Sequence, residues 1–135
     1  MCLTIKILIG HPFIPYEPFV RVEEKEDISQ TKPHVTVLFD FHEEKVALCH
    51  YAKEHEVSFA LLVKDEREVM LAAALGASFI VCDKALVKEA QKFADDYLFD
   101  AKILLLSKEE TDIAFAAQNS IDGILFEKGI KNGNR

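Results

Sequence analysis

An α/β fold carried by a mostly parallel sheet is predicted by three features of this sequence. Five short apolar runs recur from Val35 onward: Val35 to Phe41, Phe59 to Val63, Phe79 to Cys82, Ile103 to Leu106 and Ile124 to Phe126. Four amphipathic stretches separate them, with Asp or Ser where each helix should begin. Such alternation predicts parallel strands joined by helices. With 135 residues, half of them hydrophobic, the chain buries one sizeable core, so a single domain over residues 1–135 is expected.

Taken in order, residues 1–33 comprise a first strand and a loop. Leu3 to Ile9 is apolar apart from Thr4 and Lys6, and Gly10 closes it. Pro12, Pro15 and Pro18 then forbid a regular helix, leaving Phe13, Ile14, Tyr16 and Phe19 in an extended apolar loop. Glu23 to Asp27 is a mostly acidic run, read as a solvated connection before Pro33. Residues 34–127 hold the repeated units.

Four helices are expected there. Glu43 to Glu56 groups Leu48, Tyr51 and Ala52, and Glu66 to Leu75 is rich enough in Ala and Leu to be buried nearly all round before Gly76 ends it. In Lys84 to Tyr97, the residues Leu86, Ala90, Phe93 and Tyr97 share one side. Glu109 to Gln118 turns Ile113, Ala116 and Ala117 inward, with Asn119 suited to a left-handed helix end. Residues 128–135 read as a frayed tail.

Composition narrows the function. A net charge of -7 opposes the phosphate backbone, so nucleic acid is not an expected partner. Cys2, Cys49 and Cys82 are odd in number and far apart, which suits a reducing cytoplasm better than a disulfide framework or a thiolate zinc site. The apolar run before Gly10 is too short to span a bilayer and lacks a signal-peptide pattern, so a soluble chain without membrane contact is expected.

In open parallel sheets ligands bind beyond the carboxyl ends of the strands, which makes Asp40, His42, Lys64, Asp65, Cys82, Asp83, Lys84, Ser107 and Glu127 the natural candidates. Several are accounted for as caps. Ser107 with Glu110, Asp65 with Glu68 and Asp40 with Glu43 have capping-box spacing, and Asp83 is a simple cap. No glycine lies between Gly10 and Gly76 or between Gly76 and Gly123, so neither a P-loop nor a dinucleotide fingerprint exists and no cofactor is assigned.

The remaining chemistry rests on few residues. Asp40 and His42 face the same side if their strand continues, and His11 at the end of the first strand could join them around a divalent ion. Lys64 follows Ala60 to Val63 and would place an amine at the carboxyl edge, where desolvation could make it a Schiff-base nucleophile. Cys82 reads as a buried core residue that a nearby helix N-terminus could activate. His50 and His55 do not share a helix face well enough to pair on a metal.

The segment AAALGASFIVCD, Ala72 to Asp83, followed by Ser107 to Phe126 with Glu110, Ala116 and the sequence DGILF, resembles consecutive units of TIM-barrel aldolases of the 2-keto-3-deoxy-6-phosphogluconate type. The resemblance spans residues 58–127, about half of the chain. Those enzymes use a strand lysine, where this chain has Leu125, and a glycine-rich phosphate loop that it lacks, so no catalytic role carries over. The resemblance implies shape: a half TIM barrel of five or six units, or a flavodoxin-like, Rossmann-like three-layer sandwich with helices on both faces. Strands apolar on both sides favour the sandwich, with five or six strands, because an isolated half-barrel leaves one face open.

Phe13, Ile14, Tyr16 and Phe19 either cover a sheet edge, the preferred reading, or present an interface to another subunit or a protein partner, making a homodimer. The sequence thus points to a cytosolic binding or regulatory module without a catalytic motif. The alternative is a small metal- or Schiff-base-dependent lyase or hydrolase drawing on His11, Asp40, His42 and Lys64. A receiver-like signalling domain is not expected, because the first strand ends in Gly10 and His11 instead of clustered acids.

Overall fold

The sheet in the computed structural model, which describes residues 7–132, is wholly parallel among its described strands. In chain order the elements are β1 (Ile7–Ile9), β2 (Phe19–Arg21), α1 (Lys25–Ser29), β3 (Val37–Asp40), α2 (Val46–Glu54), β4 (Phe59–Leu62), α3 (Glu66–Ala74), β5 (Phe79–Cys82), α4 (Val87–Tyr97), β6 (Lys102–Ser107), α5 (Asp112–Gln118), β7 (Gly123–Phe126) and β8 (Ile130–Asn132). The predicted apolar runs and helices all appear; the helices and the first two runs are trimmed at their ends, β5 keeps its expected bounds, and β6 and β7 run one residue beyond theirs. The start of the expected first strand, residues 3–6, and residues 133–135 of the expected tail lie outside the described residues.

Among the described residues eight strands are ordered β1-β7-β6-β5-β4-β3-β2-β8, more than the five or six expected. The additions are short. β2 follows Pro18 and is too brief to show alternation; it exists because it pairs with β3 and β8. β8 falls in the segment read as frayed, and its pairing with β2 orders it. The acidic run contributes α1, which begins where the Asp27 carboxylate accepts the backbone N–H groups of Glu23 and Glu24 at 2.9 and 3.2 Å.

The sandwich expectation is corrected by how the strand residues divide. Period-two alternation sends neighbouring side chains to opposite faces. One face carries Phe39, Phe59, Leu61, Ile80, Ile103, Leu105 and Ile124, packed with helix residues such as Leu48, Ala52, Val69, Ala72, Ala90 and Ala116. The other carries Phe19, Leu38, Ala60, Val81, Leu104 and Leu125, joined by Ile7, Ile9, Leu62, Phe79, Leu106 and Ile130, and every one of these lies on a strand. Helices therefore cover one face, and the second face is filled by the sheet itself.

That is possible only if the sheet curls, as in the half-barrel alternative. Phe19 and Phe79 belong to strands three places apart in the order, about 14 Å on a flat sheet, yet their ring centroids are 5.1 Å apart. The curl also brings the first strand against the residue that precedes the last. A Cβ on Gly129 would sit 2.8 Å from the Ile9 carbonyl oxygen, and one on Gly10 would sit 2.6 Å from the Gly129 nitrogen.

Helix ends follow local rules with some redistribution. Gly76, at φ +91°, stops α3 as expected, but after α5 the left-handed residue is Ser120 at φ +55°. Asn119 instead donates its side-chain amide to the Phe115 carbonyl at 2.8 Å. α3 is not buried all round, since Met70 and Leu71 are exposed. Tyr97, expected on the inner side of α4, is exposed because it is the last helical residue, before left-handed Leu98 at φ +55°. Among the described residues no helix is long and apolar enough to cross a membrane.

The close approach at Gly129 makes a specific demand. Because the obstructing atoms are backbone, Gly129→Ala is expected to destabilise the protein by about 1–3 kcal/mol in urea unfolding, through overpacking. A neutral result would mean that the two ends of the sheet are not held together there.

Candidate functional site

The sheet register assembles a cleft at the carboxyl ends of three neighbouring strands. Leu106 of β6 and Ile9 of β1 both pair with Leu125 of β7, and all three side chains fill the inner face. Two residues further along each chain stand Lys108, His11 and Glu127. These line a cleft of about 370 Å³ together with Gly10, Pro12, Phe13, Glu110, Phe126 and Lys128.

His11 is the fixed group of this cleft. It is 7% exposed, and its ring packs edge-on to Phe13 at 5.1 Å and tilted against Phe126 at 5.9 Å. The backbone N–H of Phe13 donates to Nδ1 at 3.1 Å. An amide can only donate, so Nδ1 is unprotonated and the ring proton stands on Nε2, facing Glu110 Oε2 at 2.7 Å. Both histidine nitrogens are thereby used. The Glu110 side chain is 70% exposed, and its other oxygen accepts no hydrogen bond from the described residues. Lys108, Lys128 and Glu127 also form no ion pair among the described residues.

The other candidates from the sequence gather elsewhere. Asp40, His42 and Lys64 line a second cleft of about 460 Å³ with Glu44, Lys45 and Leu62, at the ends of β3 and β4. His11 does not line it, so the expected set of His11, Asp40 and His42 is divided between two clefts. Among the described residues no group of three or more His, Cys, Asp or Glu is placed to hold a metal. Lys64 is not desolvated: its side chain is 74% exposed and its Nζ lies 3.2 Å from Glu68 Oε2.

The cap assignments divide in the same way. Asp65 caps α3 by accepting the Glu68 N–H at 2.9 Å, and Asp83 accepts the Leu86 N–H at 3.0 Å. Asp40 is not a cap. Its carboxylate accepts Arg21 at 3.0 Å, and His42 Nδ1 takes over by accepting the Glu44 N–H at 3.1 Å. Ser107 and Glu110 do not form a capping box either, because Glu110 reaches His11. The Ser107 hydroxyl accepts the Glu109 N–H at 3.0 Å and is 2.6 Å from Asp112 Oδ2, to which it donates. Lys84 Nζ donates to the other Asp112 oxygen at 2.9 Å.

Burial silences the thiols. Desolvation pushes Cys49 up to about 11, and desolvation with the Asp83 charge pushes Cys82 up to about 12, so neither is a thiolate near neutral pH. Of the apolar loop residues, Phe13 is 83% exposed and Ile14 and Tyr16 are also exposed, against the expectation that they cover a sheet edge. Phe19 is unavailable as an interface residue, because β2 turns it into the interior of the curl at 2% exposure.

No protein-family model matches the chain, and no curated protein matches it. Lys108, Glu110 and Lys128 were not singled out from the sequence as ligand-facing groups. Lys108 stands two residues past the inward-facing Leu106, a spacing the sequence contains, but only the register of β6, β7 and β1 shows that this position meets His11 and Glu127.

The Ser107 hydroxyl, and then the Lys84 ammonium, hold Asp112 below its ordinary value of 3.8 against the opposing effect of burial. A folded value below the unfolded one means that the ionised carboxylate stabilises the fold above about pH 4 and that this is lost as pH falls through the folded value. Asp112→Asn is therefore expected to cost about 1 kcal/mol near neutral pH. In urea titrations across pH, the gap from wild type should close in acid. A gap that persists there would mean that the charge is not what stabilises the site.

Proposed function

We propose that this chain is a cytosolic small-molecule-binding module whose ligand site is the cleft over β1, β6 and β7. The observation that carries the reading is His11, buried and locked by Phe13 and Glu110 at the mouth of that cleft. The position is where parallel sheets bind ligands, beyond the carboxyl ends of the strands. The volume lies at the lower end of the roughly 300–1,000 Å³ range of small-molecule sites. Free, buried Cys49 and Cys82 support a reducing compartment.

A bound metabolite stabilises the native state by mass action, by about 2.7 kcal/mol at a hundredfold excess over Kd. Screening polar metabolites by thermal shift, with amide NMR to locate each hit, should find ligands that move the resonances of Gly10, Phe13 and Phe126. His11→Ala should abolish those shifts, while Asp40→Asn in the second cleft should leave them. A complete absence of hits at these amides at millimolar concentration would overturn the assignment.

The exposed Phe13, Ile14 and Tyr16 favour a second reading, in which this loop contacts another copy of the chain. Replacing Phe13 and Tyr16 by Ser is then expected to shift the protein to later elution on a sizing column without loss of fold. Unchanged elution would count against it.

A further inference from the structure

We infer that the cleft over β1, β6 and β7 takes a small zwitterion with an apolar body, a molecule of the α-amino-acid kind, and this rests on the reading of that cleft as a ligand site. Its lining carries two ammonium groups, Lys108 and Lys128, and two carboxylates, Glu110 and Glu127. A purely anionic ligand meets both carboxylates and a purely cationic one meets both lysines, so a ligand with both poles is the one that the charge pattern complements. The apolar wall is supplied by Phe13 and Phe126. A cleft of about 370 Å³ suits such a compact molecule.

The His11 bonds decide which end goes where. With Nδ1 accepting from Phe13 and Nε2 donating to Glu110, His11 has no nitrogen left for a ligand, so it acts as a positioning residue. What it positions is the Glu110 carboxylate, whose second oxygen accepts no hydrogen bond among the described residues and can accept an ammonium N–H. The ligand carboxylate is then left to Lys108 and Lys128, which form no ion pair among the described residues, and its side chain to the two phenylalanines.

Three probes separate the poles: L-phenylalanine, hydrocinnamate, which lacks the ammonium group, and phenethylamine, which lacks the carboxylate. Each is titrated into the labelled full-length chain while the amides of Gly10, Phe13 and Phe126 are followed. L-phenylalanine is expected to bind more tightly than either analogue, by up to about fivefold, the most that an exposed charge pair ordinarily supplies. In E110Q its advantage over hydrocinnamate, measured in the same variant, should be lost. In K108A/K128A its advantage over phenethylamine should be lost in the same way. Glu110, Lys108 and Lys128 are exposed, and circular dichroism checks that the variants fold. A single-pole analogue that matches L-phenylalanine at these amides overturns the zwitterion inference and leaves the cleft as a ligand site. If no probe moves these amides the inference also fails, and the metabolite screen then decides the site itself.

Discussion

The backbone of Gly129 lies against that of Ile9 and Gly10, and this contact between the two ends of the sheet governs the rest of the molecule. A side chain at either glycine would meet backbone atoms closer than 3 Å, so the ends approach only because both are glycine. Once they do, the sheet cannot stay flat. Its inner face closes on itself, and residues from all eight strands fill it without help from any helix. The helices are left to the outer face, where Leu48, Ala52, Val69, Ala72 and Ala90 lie against alternate strand residues.

The same curl makes the site. On a flat sheet, the ends of β6, β7 and β1 would form an open edge. Curled, they place Lys108, Glu127 and His11 around one concave mouth, with Phe13 and Phe126 as its walls. The two clefts at the carboxyl edge differ in one physical respect. In the β3–β4 cleft His42 is exposed and spends Nδ1 on a cap, and Asp40 is tied to Arg21. In the β1–β6–β7 cleft a buried histidine is held at both nitrogens, which leaves a carboxylate in a defined place. Preorganisation of that kind lowers the cost of ligand binding, since less side-chain freedom is lost when the ligand arrives.

Capping competes with function for the same polar residues, and the outcome is set residue by residue. Asp65 is used by an amide of its own helix, and Asp83 by the amide of Leu86 in the turn that leads into α4. Ser107 instead ties the end of β6 to Asp112, and through Asp112 to Lys84 at the end of β5, so that two strand ends are fixed beside the cleft. Glu110 escapes its predicted capping role because α5 begins later than the sequence suggests, at Asp112, which leaves the glutamate in a turn that points to His11.

The sequence alone determined the units. Short apolar runs such as Phe79 to Cys82 and helix patterns such as Glu66 to Leu75 are local, fixed by apolar spacing and by stop signals such as Gly76, and they appear within a few residues of where they were expected. It did not determine how those units close. Whether Leu104 and Leu125 face helices or one another depends on strand order and curl, which are set by contacts between residues as distant as Ile9 and Gly129. For the same reason His11 was legible as a candidate but its partner was not. The bond to Glu110 joins positions 99 residues apart, and no local periodicity encodes a distance of that kind.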